Sequence, residues 1–94
     1  MMYQVDNKKL YYTVHYTKEI DGKKKLIQYY SYAFPVAQYS EADNTLMICE
    51  RGYYSGTTTK HCNEIKTFHA DSKIVELDGY TIQMMIHHFE DNLM

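Results

Sequence analysis

LYYTVHYTKEIDGKKKLIQYYSYAF, residues 10–34, is the stretch that decides the fold. Its two halves are rich in β-branched and aromatic residues, which favour strands. The Asp21-Gly22 pair separates the halves, and an Asp-Gly pair is a strong hairpin signal because both residues adopt positive φ at low cost. The stretch therefore predicts one long antiparallel hairpin that turns at Asp21-Gly22.

A two-residue loop fixes which residues of the two strands lie opposite each other. On one predicted face the opposed pairs are Tyr16 with Ile27, Val14 with Tyr29, and Leu10 with Ala33. On the other face they are Tyr11 with Tyr32, Thr13 with Tyr30, and His15 with Gln28. The first face is apolar and, with Tyr12 and Ile20, is predicted to be core. The second face is polar and carries three tyrosines, so we predict that it is a recognition surface.

A second, shorter hairpin is predicted after Phe34-Pro35, where the proline lacks a backbone donor and interrupts the strand pattern. Its strands are residues 36–40 and 45–51, joined by the loop 41–44. A loop of this length pairs Tyr39 with Leu46 and Ala37 with Ile48 on the core side. The residues predicted to point to the opposite face are Val36, Met47 and Cys49.

The hydrophobic periodicity changes in the second half of the chain. Residues 58–69 predict a short helix, with the apolar stripe Cys62, Ile65 and Phe68. A brief strand is predicted for residues 73–77. After Asp78-Gly79 the sequence allows either a third hairpin into residues 80–84 or a helix capped by Asp78. The helix is favoured because five apolar residues recur at helical spacing, namely Ile82, Met85, Ile86, Phe89 and Leu93.

These elements predict one α+β domain over residues 1–94. Its antiparallel sheet is built from two hairpins, followed by a helix, a short strand and a C-terminal helix (ββββαβα), while residues 1–9 form a frayed lead-in or a short edge strand. A chain of 94 residues is long enough for one modest core. Its formal net charge of −2 does not indicate wholesale binding to nucleic acid.

The two cysteines and the absence of long apolar runs indicate the compartment. Cys49 and Cys62 are not part of a C-x-x-C motif, and no zinc-finger spacing occurs. Nothing at the start of the sequence resembles a signal peptide, and no apolar run approaches the ~20 residues that cross a bilayer. We therefore expect a soluble cytoplasmic protein that has two reduced thiols and does not interact with a membrane.

A second candidate site lies in the segment GYYSGTTTKH, residues 52–61. It brings glycine, hydroxyls, a lysine and a histidine to the start of a predicted helix, where exposed amides attract anions. The segment lacks the P-loop spacing. Turn and capping chemistry is the simpler interpretation, and contact with a phosphate or an acidic partner is the functional one. Its candidate binding residues are Tyr53, Tyr54, Ser55, Thr57, Thr58, Lys60 and His61.

No catalytic or metal-binding pattern is present in the sequence. His61 and His69 are eight residues apart, His87 and His88 diverge on a helix, and no H-E-x-x-H motif occurs. Cys62 follows His61 directly, and neighbours on a helix point about 100° apart, which prevents a thiol–imidazole hydrogen bond. We therefore expect no enzymatic activity, no cofactor and no metal.

Two segments resemble a family of small proteins from phages and mobile elements of Gram-positive bacteria. They are YAFPVAQY, residues 32–39, and GYYSGTTTKHCN, residues 52–63, which are similar to the family pattern PVA-x-Y … YS-x-TT-x-KH-x-N. The resemblance covers about the middle third of the chain. It implies a phage-type accessory protein that binds a target, and many such proteins inhibit host defence, including CRISPR–Cas systems.

Three functional interpretations follow. The first is a stoichiometric, anti-CRISPR-like inhibitor that occludes a host protein, such as a defence nuclease complex, with its tyrosine face, its 52–61 segment or both. The second is a single-stranded nucleic-acid-binding module that stacks bases on Tyr11, Tyr30 and Tyr32 with help from Lys23 to Lys25. The third is a structural role, in which the C-terminal helix covers the tyrosines. The predicted binding residues of the sheet are Tyr11, His15, Tyr30 and Tyr32, and a homodimer through outward apolar residues is a further expectation.

Overall fold

The computed structural model describes the backbone of residues 2–5, 9–50 and 56–91, which contain six strands and two helices. The strands are β1 (Met2–Val5), β2 (Leu10–Glu19), β3 (Gly22–Ser31), β4 (Phe34–Ser40), β5 (Thr45–Cys49) and β6 (Lys73–Leu77). The helices are α1 (Gly56–Phe68) and α2 (Gly79–Asp91). The predicted α+β class and the order of the elements are confirmed, and the lead-in contributes an additional edge strand, β1.

The sheet contains the six strands in sequence order, β1 to β6. Each of the first four strands is antiparallel to the next one, whereas β6 is parallel to β5. Parallel neighbours need a crossover connection, and α1 supplies it between β5 and β6. The sheet is therefore mixed.

The first hairpin forms, but its predicted register is wrong by two residues. Leu10 lies opposite Ser31 instead of Ala33, and Val14 lies opposite Ile27. The turn residues are Ile20 and Asp21, and Gly22 follows with φ 124°. Glycine therefore supplies the positive φ one position later than an Asp-Gly turn requires. Because a shift of two residues keeps side-chain parity, the paired residues of β2 and β3 remain on their predicted faces. Tyr32 and Ala33 lie in the turn after β3 and are not part of this pairing.

The second hairpin has the predicted register, with Tyr39 opposite Leu46 and Ala37 opposite Ile48. Between β3 and β4 the register shifts at Tyr29/Tyr30, so that Val36 is an extra residue. Val36 and Cys49 are buried, so the prediction that they point outward is wrong and they offer no apolar surface for a homodimer. Met47 is half-buried.

The two helices cover opposite faces of the sheet. Tyr39 stacks on His69, which follows α1, whereas the neighbouring Gln38 contacts Met85 of α2. Successive side chains of a strand point to opposite faces, so α1 and α2 lie on different sides. The buried apolar residues common to this core are Leu10, Tyr29, Tyr30, Val36, Ala37, Leu46, Ile48, Cys49, Cys62, Ile65, Ile82 and Ile86.

Three residues of the predicted core lie at its exposed margins. Tyr16 and Ile20 are exposed because the β2–β3 hairpin extends beyond the part of the sheet that α1 covers. Phe68 is exposed at the last residue of α1. The prediction of a C-terminal helix instead of a third hairpin is confirmed, and Ile82 and Ile86 of this helix are buried. The side chains of Phe89 and Leu93 lie outside the described residues.

Candidate functional site

The predicted tyrosine surface is not a free sheet face. Tyr30 is only 6% exposed, and it lies on the side of the sheet that α2 covers. Tyr11 and His15 are half-buried, and Tyr11 packs against the core. The sequence does not show this covering, because it depends on how α2 docks. The premise of an open three-tyrosine surface is therefore wrong for Tyr30.

Tyr32 is the one predicted sheet tyrosine that remains well exposed, at 46%. It lies in the turn between β3 and β4 and has φ 57°, a left-handed conformation that is costly for residues other than glycine. Its backbone amide donates to the carbonyl of Lys9 over 2.8 Å, which holds the turn in place. Phe34, at the start of β4, is 56% exposed. Two aromatic side chains are thus exposed at one turn.

The floor beneath this turn is a buried network of polar side chains. Ser31 Oγ shares hydrogen bonds with His61 Nδ1 over 2.7 Å and with Thr58 Oγ1 over 2.9 Å. All three residues are buried. The ring of His61 lies 6.1 Å from that of Tyr32. We call this group the Tyr32–His61 junction, formed by Ser31, Tyr32, Phe34, Thr58 and His61.

The Tyr32–His61 junction brings together residues from both predicted sites, the sheet face and the segment 52–61. Two of these residues do not have the role that was predicted for them. Thr58 and His61 are buried and bonded to Ser31, so they support the surface and cannot contact a large partner directly. Lys60 is exposed, as the prediction requires. Tyr53, Tyr54 and Ser55 lie outside the described residues, as does the side chain of Thr57. Their predicted roles stay predictions.

The role of Ser31 in the buried hydrogen-bond network is not apparent from the sequence. It is separated by 27 residues from Thr58 and by 30 from His61, and no motif spacing links them. Only the crossover that brings α1 back over β3 makes them neighbours. Strand alternation gave a weak signal, because Ser31 follows the apolar Ile27 and Tyr29 on the same face of β3.

The Ser31–His61 pair has the atoms of a nucleophile–base couple but not the access. Both residues are buried, and the hydroxyl is already shared with Thr58. A substrate carbonyl has to approach the nucleophile closely, and Ser31 has no exposed surface in this structure. Among the residues that the structure describes, no three His, Cys, Asp or Glu side chains are grouped to hold a metal ion.

A second histidine is placed between two tyrosines on the α1 side of the sheet. Tyr29 Oη and His69 Nε2 share a hydrogen bond of 2.7 Å, and the His69 ring stacks on Tyr39 with 4.1 Å between centroids. Burial raises the pKa of Tyr29 to about 12, and burial lowers the pKa of His69. Tyr29 therefore stays protonated and shares this hydrogen bond with a neutral imidazole, and the cluster joins the end of α1 to β3 and β4.

The tip of the β2–β3 hairpin is a separate exposed surface. Tyr16, Lys18, Lys23 and Lys25 share one face, since Lys18 lies opposite Lys23 and Tyr16 lies opposite Lys25. All four are exposed, and Tyr16 is 61% exposed. Lys24 points to the other face and pairs with Asp21 at 3.5 Å. We call the four residues on the first face the hairpin tip.

No described helix is both long and apolar enough to cross a membrane. No curated protein and no solved structure matches the chain. The sequence profile of a family of unknown function, DUF8033, matches residues 2–81, which include all the described strands, α1 and the first residues of α2. That match spans both the Tyr32–His61 junction and the hairpin tip, and the chain therefore belongs to the DUF8033 family.

Proposed function

We propose that this protein is a non-enzymatic binding protein that attaches to a host protein through the Tyr32–His61 junction. The observation that carries the proposal is the conformation of Tyr32. A left-handed backbone costs a bulky residue about 1–2 kcal/mol relative to glycine. The side chain is nevertheless a large and well-exposed ring. Strain of this kind persists where the surrounding structure enforces it, and such residues are concentrated at functional sites.

The surroundings of Tyr32 suit a protein partner. Tyrosine is enriched among the residues that dominate binding energy, and Phe34 adds a second exposed aromatic ring at the same turn. The hydrogen-bonded floor of Ser31, Thr58 and His61 fixes the turn before binding. Fixing it in advance reduces the ordering cost of association.

The mechanism that we propose is steric occlusion of a host defence protein, such as a nuclease complex, as the resemblance to phage-type proteins implies. Imitation of DNA requires a strongly acidic surface. This chain has a net charge of only −2 and exposes lysines at the hairpin tip. Covering an assembly surface therefore fits better than occupying a DNA-binding groove.

The test is affinity capture from the cells that express the protein, using matched variants. Tyr32→Gly removes the ring and relieves the positive φ, so the variant folds at least as stably as the wild type. We expect a host protein to be recovered in stoichiometric amount with the wild type and to be lost with Tyr32→Gly. Tyr16→Ser, which removes a tyrosine at the hairpin tip that is more exposed than Tyr32, is the control and retains the partner.

Equal recovery of the partner by Tyr32→Gly and the wild type would contradict the proposed site. Failure of every variant, the wild type included, to recover a stoichiometric partner would contradict the proposed function. Thermal unfolding of each variant separates lost binding from lost folding.

A second candidate function is binding of single-stranded nucleic acid at the hairpin tip. Lys18 and Lys23 lie directly opposite each other, an arrangement that repulsion makes unfavourable for folding. Neither these two lysines nor Lys25 forms an ion pair with a described residue. A tyrosine beside lysines that have no ion-pair partner among the described residues has the composition of a base-stacking site.

Fluorescence polarisation with labelled single-stranded oligonucleotides tests this candidate. Three phosphate contacts predict a slope of about −2 for the logarithm of the binding constant against that of the salt concentration. The triple variant Lys18→Gln, Lys23→Gln, Lys25→Gln should abolish that slope. A flat response of the wild type at micromolar protein and low salt would remove the candidate.

A further inference from the structure

Cys49 and Cys62 form a contact between the sheet and α1. Cys49 is the last residue of β5, and Cys62 lies in the second turn of α1. Their Sγ atoms are 3.2 Å apart, and both residues are buried free thiols. A disulfide bond requires an S–S distance of about 2.05 Å, so each sulfur has to move by only about 0.6 Å.

We propose that Cys49 and Cys62 form an oxidation site at which hydrogen peroxide converts the two thiols into one disulfide. The pair is buried, so the oxidant has to be small. Hydrogen peroxide is close in size to water, whereas a bulky disulfide reagent cannot approach either sulfur in the closed fold. The inference is independent of the proposed binding function.

The reaction balances in two steps. The Cys49 thiolate attacks one peroxide oxygen, the O–O bond breaks, and the departing hydroxide takes up the released proton, leaving a sulfenic acid and one water. The Cys62 sulfur then attacks Cys49 Sγ, the S–O bond breaks, and the departing hydroxide takes the Cys62 proton to form the second water. The peroxide gains two electrons, one from each sulfur.

Local electrostatics decide which thiol reacts first. Either thiol can donate the hydrogen bond between the two sulfurs. When Cys49 is the thiolate, the bond that it accepts from the Cys62 thiol stabilises it, and this lowers the pKa of Cys49. The same hydrogen bond, together with burial, raises the pKa of Cys62. The Lys66 ammonium lowers the pKa of both groups. Cys49 is therefore the thiol that ionises and attacks, and Cys62 is the resolving thiol.

The consequence is a covalent ring that contains the segment 52–61. The bond ties the end of β5 to α1 and encloses most of the second segment, residues 52–63, by which the chain resembles phage-type proteins. Closing a ring of this length restricts the unfolded chain, so the oxidised form should melt higher by on the order of 10 °C.

The experiment treats the full-length folded protein with dilute hydrogen peroxide, removes the peroxide, and unfolds the product in denaturant that contains an alkylating agent, so that the remaining thiols are exposed and blocked. The product is then digested with trypsin. Cleavage after Lys25, Arg51, Lys60 and Lys66 places the two cysteines in separate peptides, 26–51 and 61–66. We expect these peptides to be joined by a bond that dithiothreitol releases. The melting temperature of the treated protein should rise and should return to its original value after reduction.

Cys62→Ser and Cys49→Ser are the matched variants. We expect Cys62→Ser to accumulate sulfenic acid at residue 49, which dimedone labels, and Cys49→Ser to react much more slowly. Recovery of two alkylated thiols in the treated wild type, further oxidation to sulfinic acid, or cross-linking between molecules would each overturn the proposal. These outcomes are read from the wild type, so they stand even if a variant fails to fold.

Discussion

At the scale of single residues, the Ser31 hydroxyl holds the sheet and α1 together. It is fully buried and bonds to both His61 and Thr58. Ser31→Ala removes the hydroxyl at the centre of this network, so the buried side chains of Thr58 and His61 each lose one hydrogen-bond partner. The substitution should therefore lower the free energy of unfolding by about 1–3 kcal/mol. Urea denaturation measures the change.

Ser40→Ala is the control for that substitution. Ser40 also lies on a strand, but its hydroxyl donates to the exposed loop residue Asp43. Its loss should cost less than about 0.5 kcal/mol. Equal effects of the two substitutions would show that the buried network does not stabilise the fold.

His69 makes the stability of the fold dependent on pH. Burial lowers the pKa of His69 in the folded protein, so the unfolded chain binds the proton more tightly. Stability is therefore full above the unfolded pKa of about 6.5 and is lost as the pH falls through the window below it. Protonation also places a proton on His69 Nε2, so that the hydrogen bond with Tyr29 Oη can then run only from the imidazolium to the hydroxyl.

The measurement is the free energy of unfolding of the wild type and of His69→Gln between neutral pH and mildly acidic pH. The wild type should lose more stability than the variant over this range, since the other ionisable groups are common to both. Parallel curves would mean that His69 is not held in its neutral form by the fold.

At the scale of elements, the start of α2 depends on Asp78. Its Oδ1 accepts from the backbone amide of Thr81 and its Oδ2 from the Thr81 hydroxyl, each over 2.8 Å. These bonds lower the pKa of Asp78, so the cap is intact above the ordinary aspartate pKa and weakens as the pH falls. Asp78→Ala should lower the melting temperature and the helical circular dichroism signal.

Asp78→Asn tests whether the cap or the charge matters, because asparagine also caps helices well. We expect Asn to retain most of the stability and Ala to lose it. Similar losses with both residues would assign the effect to the charge.

Elements were predictable from the sequence to the extent that local chemistry determines them. The predicted cap at Asp78 and the helical spacing of the apolar residues, including Ile82 and Ile86, together favoured α2 over a third hairpin. The register of the first hairpin was not predictable, because Gly22 offers positive φ at more than one turn position. The parallel pairing of β6 with β5 depends on the path that α1 takes between them. No residue of β6 specifies this pairing by itself.

At the scale of the whole molecule, the candidate site required information that the sequence does not carry. Tyr32 and His61 were both predicted binding residues, from two unrelated arguments. Their meeting depends on the crossover of α1, which also buries His61 and leaves Tyr32 outside. Tyr30 is covered because α2 packs on its side of the sheet. The apolar stripe of α2 indicates that this helix packs against the sheet but does not indicate which face of the sheet it covers.

The docking of α2 predicts opposite outcomes for two tyrosines that a period-two pattern places on the same face. Tyr30→Ala leaves a cavity under α2 and should cost about 3–5 kcal/mol, a large part of the stability of a domain of this size. Tyr32→Ala removes an exposed ring and should change stability by less than about 1 kcal/mol. Urea denaturation of both variants, with Tyr30→Phe as the control that preserves volume, separates the two predictions. A small effect of Tyr30→Ala would mean that α2 does not cover this face in solution, and it would return Tyr30 to the recognition surface.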